Sequence, residues 1–167
     1  MARTVAQALS YAYNQHKSPS RNWGAWCLVF VRSAWGVAAL YPSAEKGWYG
    51  TRHRMGTGTP PAGAPVWWTN GRHGHVALSA GGGYCWSNDV VTYGRIHKVA
   101  ISRITRQWGQ RYRGWTRDIN GVVVLPASTP APKPPPAEWD EQASKAQIIE
   151  AIRSGIRAEI RAGLIGD

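Results

Sequence analysis

The stretch HVALSAGGGYCWSND, from His75 to Asp89, constrains the fold of this chain more than any other segment. Two apolar runs flank three consecutive glycines, the residue type that enters left-handed turns without steric cost. Such a segment folds back on itself as an antiparallel hairpin. It follows VWWT (66–69) and a turn at Asn70–Gly71, and precedes further strand candidates in RIHKVAI (95–101) and GVVVLP (121–126). TPPAGAP (59–65) separates these strands from an N-terminal half with helical periodicity. There TVAQALSYAYNQ (4–15) places Val5, Leu9 and Tyr13 on one face. The run from Trp23 to Trp35 reads as a second helix, closed by Gly36. Helices first and an antiparallel sheet after them predict an α+β fold, with the N-terminal helices packed on a central antiparallel sheet.

This domain ends near Leu125. PASTPAPKPPPAEWDE (126–141) favours extended polyproline II and cannot join a packed core. The expected organisation is a catalytic-type domain over 1–126, a Pro-rich linker over 127–140 and an amphipathic helix over 141–167. The last segment opens with a capping-box pattern of Ser144 and Gln147. Ile149, Ile152, Ile156 and Ile160 then form an apolar stripe beside a row of Arg153, Arg157 and Arg161. A short helix with such a stripe is marginal alone. Three roles are open to it: self-association, membrane-surface binding, or docking on a cell wall.

Charge narrows the partners. The chain carries +11, and residues through Pro126 hold fifteen Lys and Arg against only Glu45, Asp89 and Asp118. A domain this basic is drawn to polyanions such as anionic wall polymers, lipid headgroups or nucleic acid. No nucleic-acid-binding motif accompanies the charge, so nucleic acid is not the expected partner. No apolar run reaches the length of a membrane span. The first residues, MARTVAQALSYAYNQHK, do not read as a secretory signal, so accumulation in the cytoplasm of the producing cell is expected. The two cysteines, Cys27 and Cys85, are too few for a disulfide scaffold and have no metal-ligand spacing. Neither a disulfide, nor a zinc site built from Cys27, His75 and Cys85, nor any other cofactor is expected.

Cys27 falls near the start of the second helix, where unpaired N–H groups and the positive end of the helix dipole favour a thiolate. The same amides suit an oxyanion. His75 stands between a glycine and an apolar strand, at the open end of the sheet, where it can act as a general base. Such a base needs a group to fix its tautomer. Asp89 is brought back toward His75 by the hairpin and is the first choice, although Asn88 and Ser87 can also orient a ring. Most of the tryptophans read as core. Trp26 and Trp86, each beside a proposed catalytic segment, are candidates with Asn88 for lining a substrate groove.

WCLVFVRSAWG (26–36), PPAGAPVWW (60–68), GHVALSAGGGYCWSND (74–89) and GWTRDINGVVVLP (114–126) occur in an order that resembles a CHAP domain. This is the cysteine, histidine-dependent amidohydrolase/peptidase family, akin to NlpC/P60 and papain-like folds. The arrangement is most similar to that of bacteriophage endolysins acting on actinobacterial hosts, and the resemblance covers about the first 125 residues. It implies a papain-like fold and hydrolysis of amide bonds in bacterial peptidoglycan. Cys27 then matches the nucleophile, His75 the base and Asp89 the orienting group. Two positions depart from the family pattern. Trp26 precedes the cysteine where many members have a polar residue, and Ser87-Asn88-Asp89 stand where many carry a Glu and then an Asn. The resemblance implies an endolysin held in the host cytoplasm until lysis. The rival reading is a non-enzymatic basic module that binds cell wall or nucleic acid.

Overall fold

The computed structural model describes residues 1–127 and Glu150. The linker and the amphipathic helix expected beyond Pro126 fall outside that stretch. Contacts along the chain divide it into two units, Met1–Pro134 and Pro135–Asp167, and the first carries the fold described here.

Helix α1 (Val5–Lys17) starts at Thr4, whose side chain accepts from the Gln7 amide while the Gln7 side chain returns to Thr4. Its most buried positions are Ala8, Ala12 and Gln15; the Val5, Leu9 and Tyr13 face expected to lead the packing is only half-buried. Alanine has no bulk to hold neighbours away, so the small face approaches closest. Helix α2 (Cys27–Ala34) starts four residues later than the sequence predicts, because Ala25 adopts a left-handed conformation (φ 60°) that no helix accommodates.

Strands β1 (Pro65–Thr69), β2 (His75–Gly81), β3 (Tyr84–Asn88), β4 (Ile96–Ala100) and β5 (Arg111–Trp115) form one sheet in the order β4-β3-β2-β1-β5. Every neighbouring pair is antiparallel, and the hairpin turns at Gly81–Gly83, all with positive φ. The α+β class and the sheet are therefore as expected. Helices α3 (Ala44–Gly50) and α4 (Ile101–Trp108) were not expected, nor was β5. GVVVLP contributes only β7 (Val122–Val123), paired with β6 (Asp118–Ile119) outside the main sheet.

The sheet has helices on both faces. Val66, Trp68, Ala77 and Cys85 point to one face and pack with Ile101 and Ile104 of α4. Alternation sends Trp67 and Trp86 to the other face, against Trp48 of α3 and Tyr13 of α1 respectively. Helix α2 also packs against β2. The core tryptophans are satisfied as well as buried: the indole N–H groups of Trp23, Trp35, Trp67 and Trp68 donate to Gln15, the Gly63 carbonyl, Thr116 and Thr105. No helix among the described residues is long and apolar enough to cross a membrane.

Candidate active site

Cys27 is the first residue of α2, and His75 is the first residue of β2. Both line one cavity of about 820 Å³, together with Trp26, Arg32, Tyr41, His73, Asn88, Asp89, Trp108 and Gln110. The cavity lies where the sheet ends, so groups on its two faces meet there. The backbone N–H groups of Val76, next to His75 in the chain, and of Leu28 and Cys27 favour the charged form of the Cys27 sulfur.

The loop before His75 is built to deliver it. The Asn70 side-chain oxygen accepts from the amides of Arg72, His73 and Gly74, which folds residues 70–74 into a tight turn. The start of α3 docks on this turn: the Glu45 amide donates to the His73 carbonyl, and the Glu45 carboxylate accepts from the Asn70 amide. The turn closes at Gly74 with φ 64°, and a methyl group there would lie 2.7 Å from the Trp68 carbonyl oxygen and 2.9 Å from the Glu45 amide nitrogen. Gly74→Ala is expected to cost about 2–4 kcal/mol, from an unfavourable φ plus a backbone collision. Thermal unfolding reads this as a fall in Tm of about 10 °C.

His75 is 5% exposed and sits between two indoles, with Trp108 edge-on at 4.8 Å and Trp68 at 5.7 Å between ring centroids. Its Nε2 lies 2.8 Å from the Ser87 hydroxyl oxygen. Ser87 has a single proton, which it donates to the Asn88 carbonyl oxygen at 3.2 Å. With the proton placed there, the hydroxyl oxygen accepts from Nε2–H, and Nδ1 carries the lone pair. That is the tautomer a general base needs. Burial drives the imidazole pKa down to about 3, with no carboxylate at Nε2 to oppose it.

Asp89 is not the partner of His75. Counting on from the Leu78–Trp86 pair puts it opposite His75, as the hairpin argument required. The strand nevertheless stops at Asn88, and Asp89 takes a left-handed conformation (φ 65°) that turns its carboxylate away. One carboxylate oxygen accepts from the Ala25 amide at 2.9 Å and from the Asn88 side-chain amide at 2.6 Å, and the other from the Gly94 amide at 2.7 Å. Ser87 takes the orienting place instead, because it lies two residues from Cys85 on the α4-facing side of β3, the side His75 shares with Ala77.

The groove candidates divide. Trp26 lines the cavity, is 47% exposed, and carries the Arg21 guanidinium 4.5 Å over its ring. Asn88 also lines it but is 1% exposed, and its amide N–H groups are spent on the Trp23 carbonyl and Asp89. Trp86 does not reach the cavity: it is 4% exposed, on the opposite side of β3 from Ser87, against Tyr13 and His16. Both cysteines are free thiols, with Cys85 fully buried in the core. Among the described residues no three His, Cys, Asp or Glu side chains converge as metal ligands.

The thiol differs from its sequence-based expectation. Burial raises its pKa to about 11, helped by the nearby Asp89 carboxylate, and the three amides that favour a thiolate only partly offset this. The helix terminus is outweighed because leaving water costs the charged form more than three N–H groups return. Burial works against the charged form of the imidazole as well as of the thiol. The rate of Cys27 alkylation by iodoacetamide, followed by intact mass, is therefore expected to climb steadily from pH 6 to pH 10. A plateau near neutrality contradicts that assignment.

Trp108 was missed at the sequence level, although Ile101, Ile104 and Trp108 recur at helical spacing and mark α4. No protein-family model matches the chain, and comparisons with curated proteins and with solved structures return no similar protein.

Proposed function

We propose that this chain is a cysteine-dependent amidohydrolase of bacterial peptidoglycan, with a CHAP-like, papain-like arrangement, working as a phage endolysin. The observation that carries the chemistry is a cysteine at a helix N-terminus and a histidine, engaged through Nε2 by Ser87, on one open cavity. The choice of substrate comes from the sequence resemblance, and the excess of positive charge suits an anionic wall.

In this reading Cys27 attacks an amide carbonyl while its proton passes to Nδ1 of His75, forming a sulfur–carbon bond and an oxyanion. The amides of the first turn of α2 stabilise that oxyanion. Ser87 accepts from Nε2–H throughout and steadies the imidazolium. His75 then gives its proton to the leaving amine as the carbon–nitrogen bond breaks. Water, deprotonated by Nδ1, attacks the thioester, releasing a carboxylic acid and restoring the thiol.

Mass spectrometry of digested sacculi tests the reading. New amines on diamino-acid residues or cross-bridges mark an endopeptidase, and free lactyl groups on muramic acid mark an N-acetylmuramoyl-L-alanine amidase. If neither product appears, the proposal fails.

A further inference from the structure

The last two residues of β3 and the one that follows them face three different partners. Ser87 points to the α4 side of the sheet and meets His75. Asn88, by alternation, points to the other side and donates to the Trp23 carbonyl at 2.8 Å. Asp89 then closes on the Ala25 amide. Trp23 and Ala25 belong to the segment immediately before Cys27, which is anchored at Trp23, buried with its indole N–H on Gln15, and at a turn where the Trp26 amide donates to the Trp23 carbonyl. Trp26, at the N-cap position of α2, makes no side-chain capping bond, and Ala25 holds a left-handed φ of 60° without being glycine. The β3–β4 turn adds a second hold on the segment: the Trp23 amide donates to the Gly94 carbonyl at 2.9 Å, and the Gly94 amide donates to Asp89.

We propose that Asp89 is a positioning residue for the nucleophile, clamping with Asn88 the strained turn that delivers Cys27 to the cavity, while Ser87 serves the base. This rests on reading Cys27 and His75 as nucleophile and base, and it divides their support between Ser87 on one side of β3 and the Asn88–Asp89 pair where the strand ends. Asp89 sets where the sulfur sits. Its charge also opposes formation of a thiolate. Among the cavity-lining residues, Arg32, Tyr41, His73 and His75 are the other titratable side chains.

The test needs no hydrolysis, so it stands apart from the proposed activity. In Asp89→Asn, Cys27 alkylation at pH 8 is expected to rise about threefold or more, because a neighbouring negative charge is gone. The ¹⁵N shifts of His75, which report its tautomer, should stay unchanged. In Ser87→Ala the His75 shifts should move while the alkylation profile keeps its position. The clamp also predicts rescue: adding Ala25→Gly, which holds a left-handed φ unaided, should restore part of the thermal stability lost in Asp89→Asn. If Asp89→Asn folds poorly, the double variant carries the same alkylation and NMR measurements. Movement of the His75 shifts on loss of Asp89, or an alkylation profile that does not change, overturns the proposal.

Discussion

Replacing Cys27 with alanine is expected to lower the rate of cell-wall clearing by at least about three orders of magnitude, the usual result of deleting a nucleophile. The residue is only half-buried and lines an open cavity, so removing its sulfur leaves no sealed void. Thermal unfolding at neutral pH should therefore change by less than about 1 kcal/mol. Turbidity assays on isolated walls, run beside calorimetry of the same samples, check both halves. Equal clearing by wild type and variant would leave a basic wall-binding module as the surviving reading. The other cysteine behaves in the opposite way. Cys85 is sealed in the core, so Cys85→Ala should lower stability and leave the chemistry in place.

The second large effect is on stability against pH. The imidazole of His75 has a folded pKa of about 3 against an ordinary 6.5. Between those values the unfolded chain binds a proton that the folded chain does not, so stability rises with pH through that window. The contribution is complete above about 6.5 and fades as the solution is acidified, at up to about 1.4 kcal/mol per pH unit. Chemical denaturation from pH 7 to pH 4 should show this slope in the wild type, and His75→Gln should flatten it. A slope unchanged by the substitution would mean that His75 is not buried as a neutral ring. At the alkaline end the sign reverses. The Cys27 thiol, held up to about 11, contributes stability that is intact below pH 9 and lost as the pH rises toward 11.

Much of the fold was legible because it rests on local signals. The helical period of α1, the triple-glycine turn and the apolar runs of β1 to β4 each act within a few residues. Helix α3 escaped notice because seven residues containing two glycines offer almost no periodic pattern. Helix α4 escaped because Ile101 also ends an apolar run that reads as strand, and only Ile104 and Trp108 reveal the helical period. Cys27 and His75 were legible as chemistry for the same local reason, each standing beside a helix or strand terminus.

By itself the sequence singled out Cys27 and His75 as the candidate reactive pair and indicated the elements that present them, because residue type, spacing and turn glycines act over short range. Tertiary structure decided how those residues are supported. A left-handed φ at Asp89 separates its carboxylate from His75 and gives it to Ala25, leaving Ser87 as the partner of the ring. It also bears on their charge state: Trp68 and Trp108 pack on the His75 ring, and desolvation works against the charged form of both groups. Desolvation depends on everything packed around a group, and no short stretch of sequence specifies it.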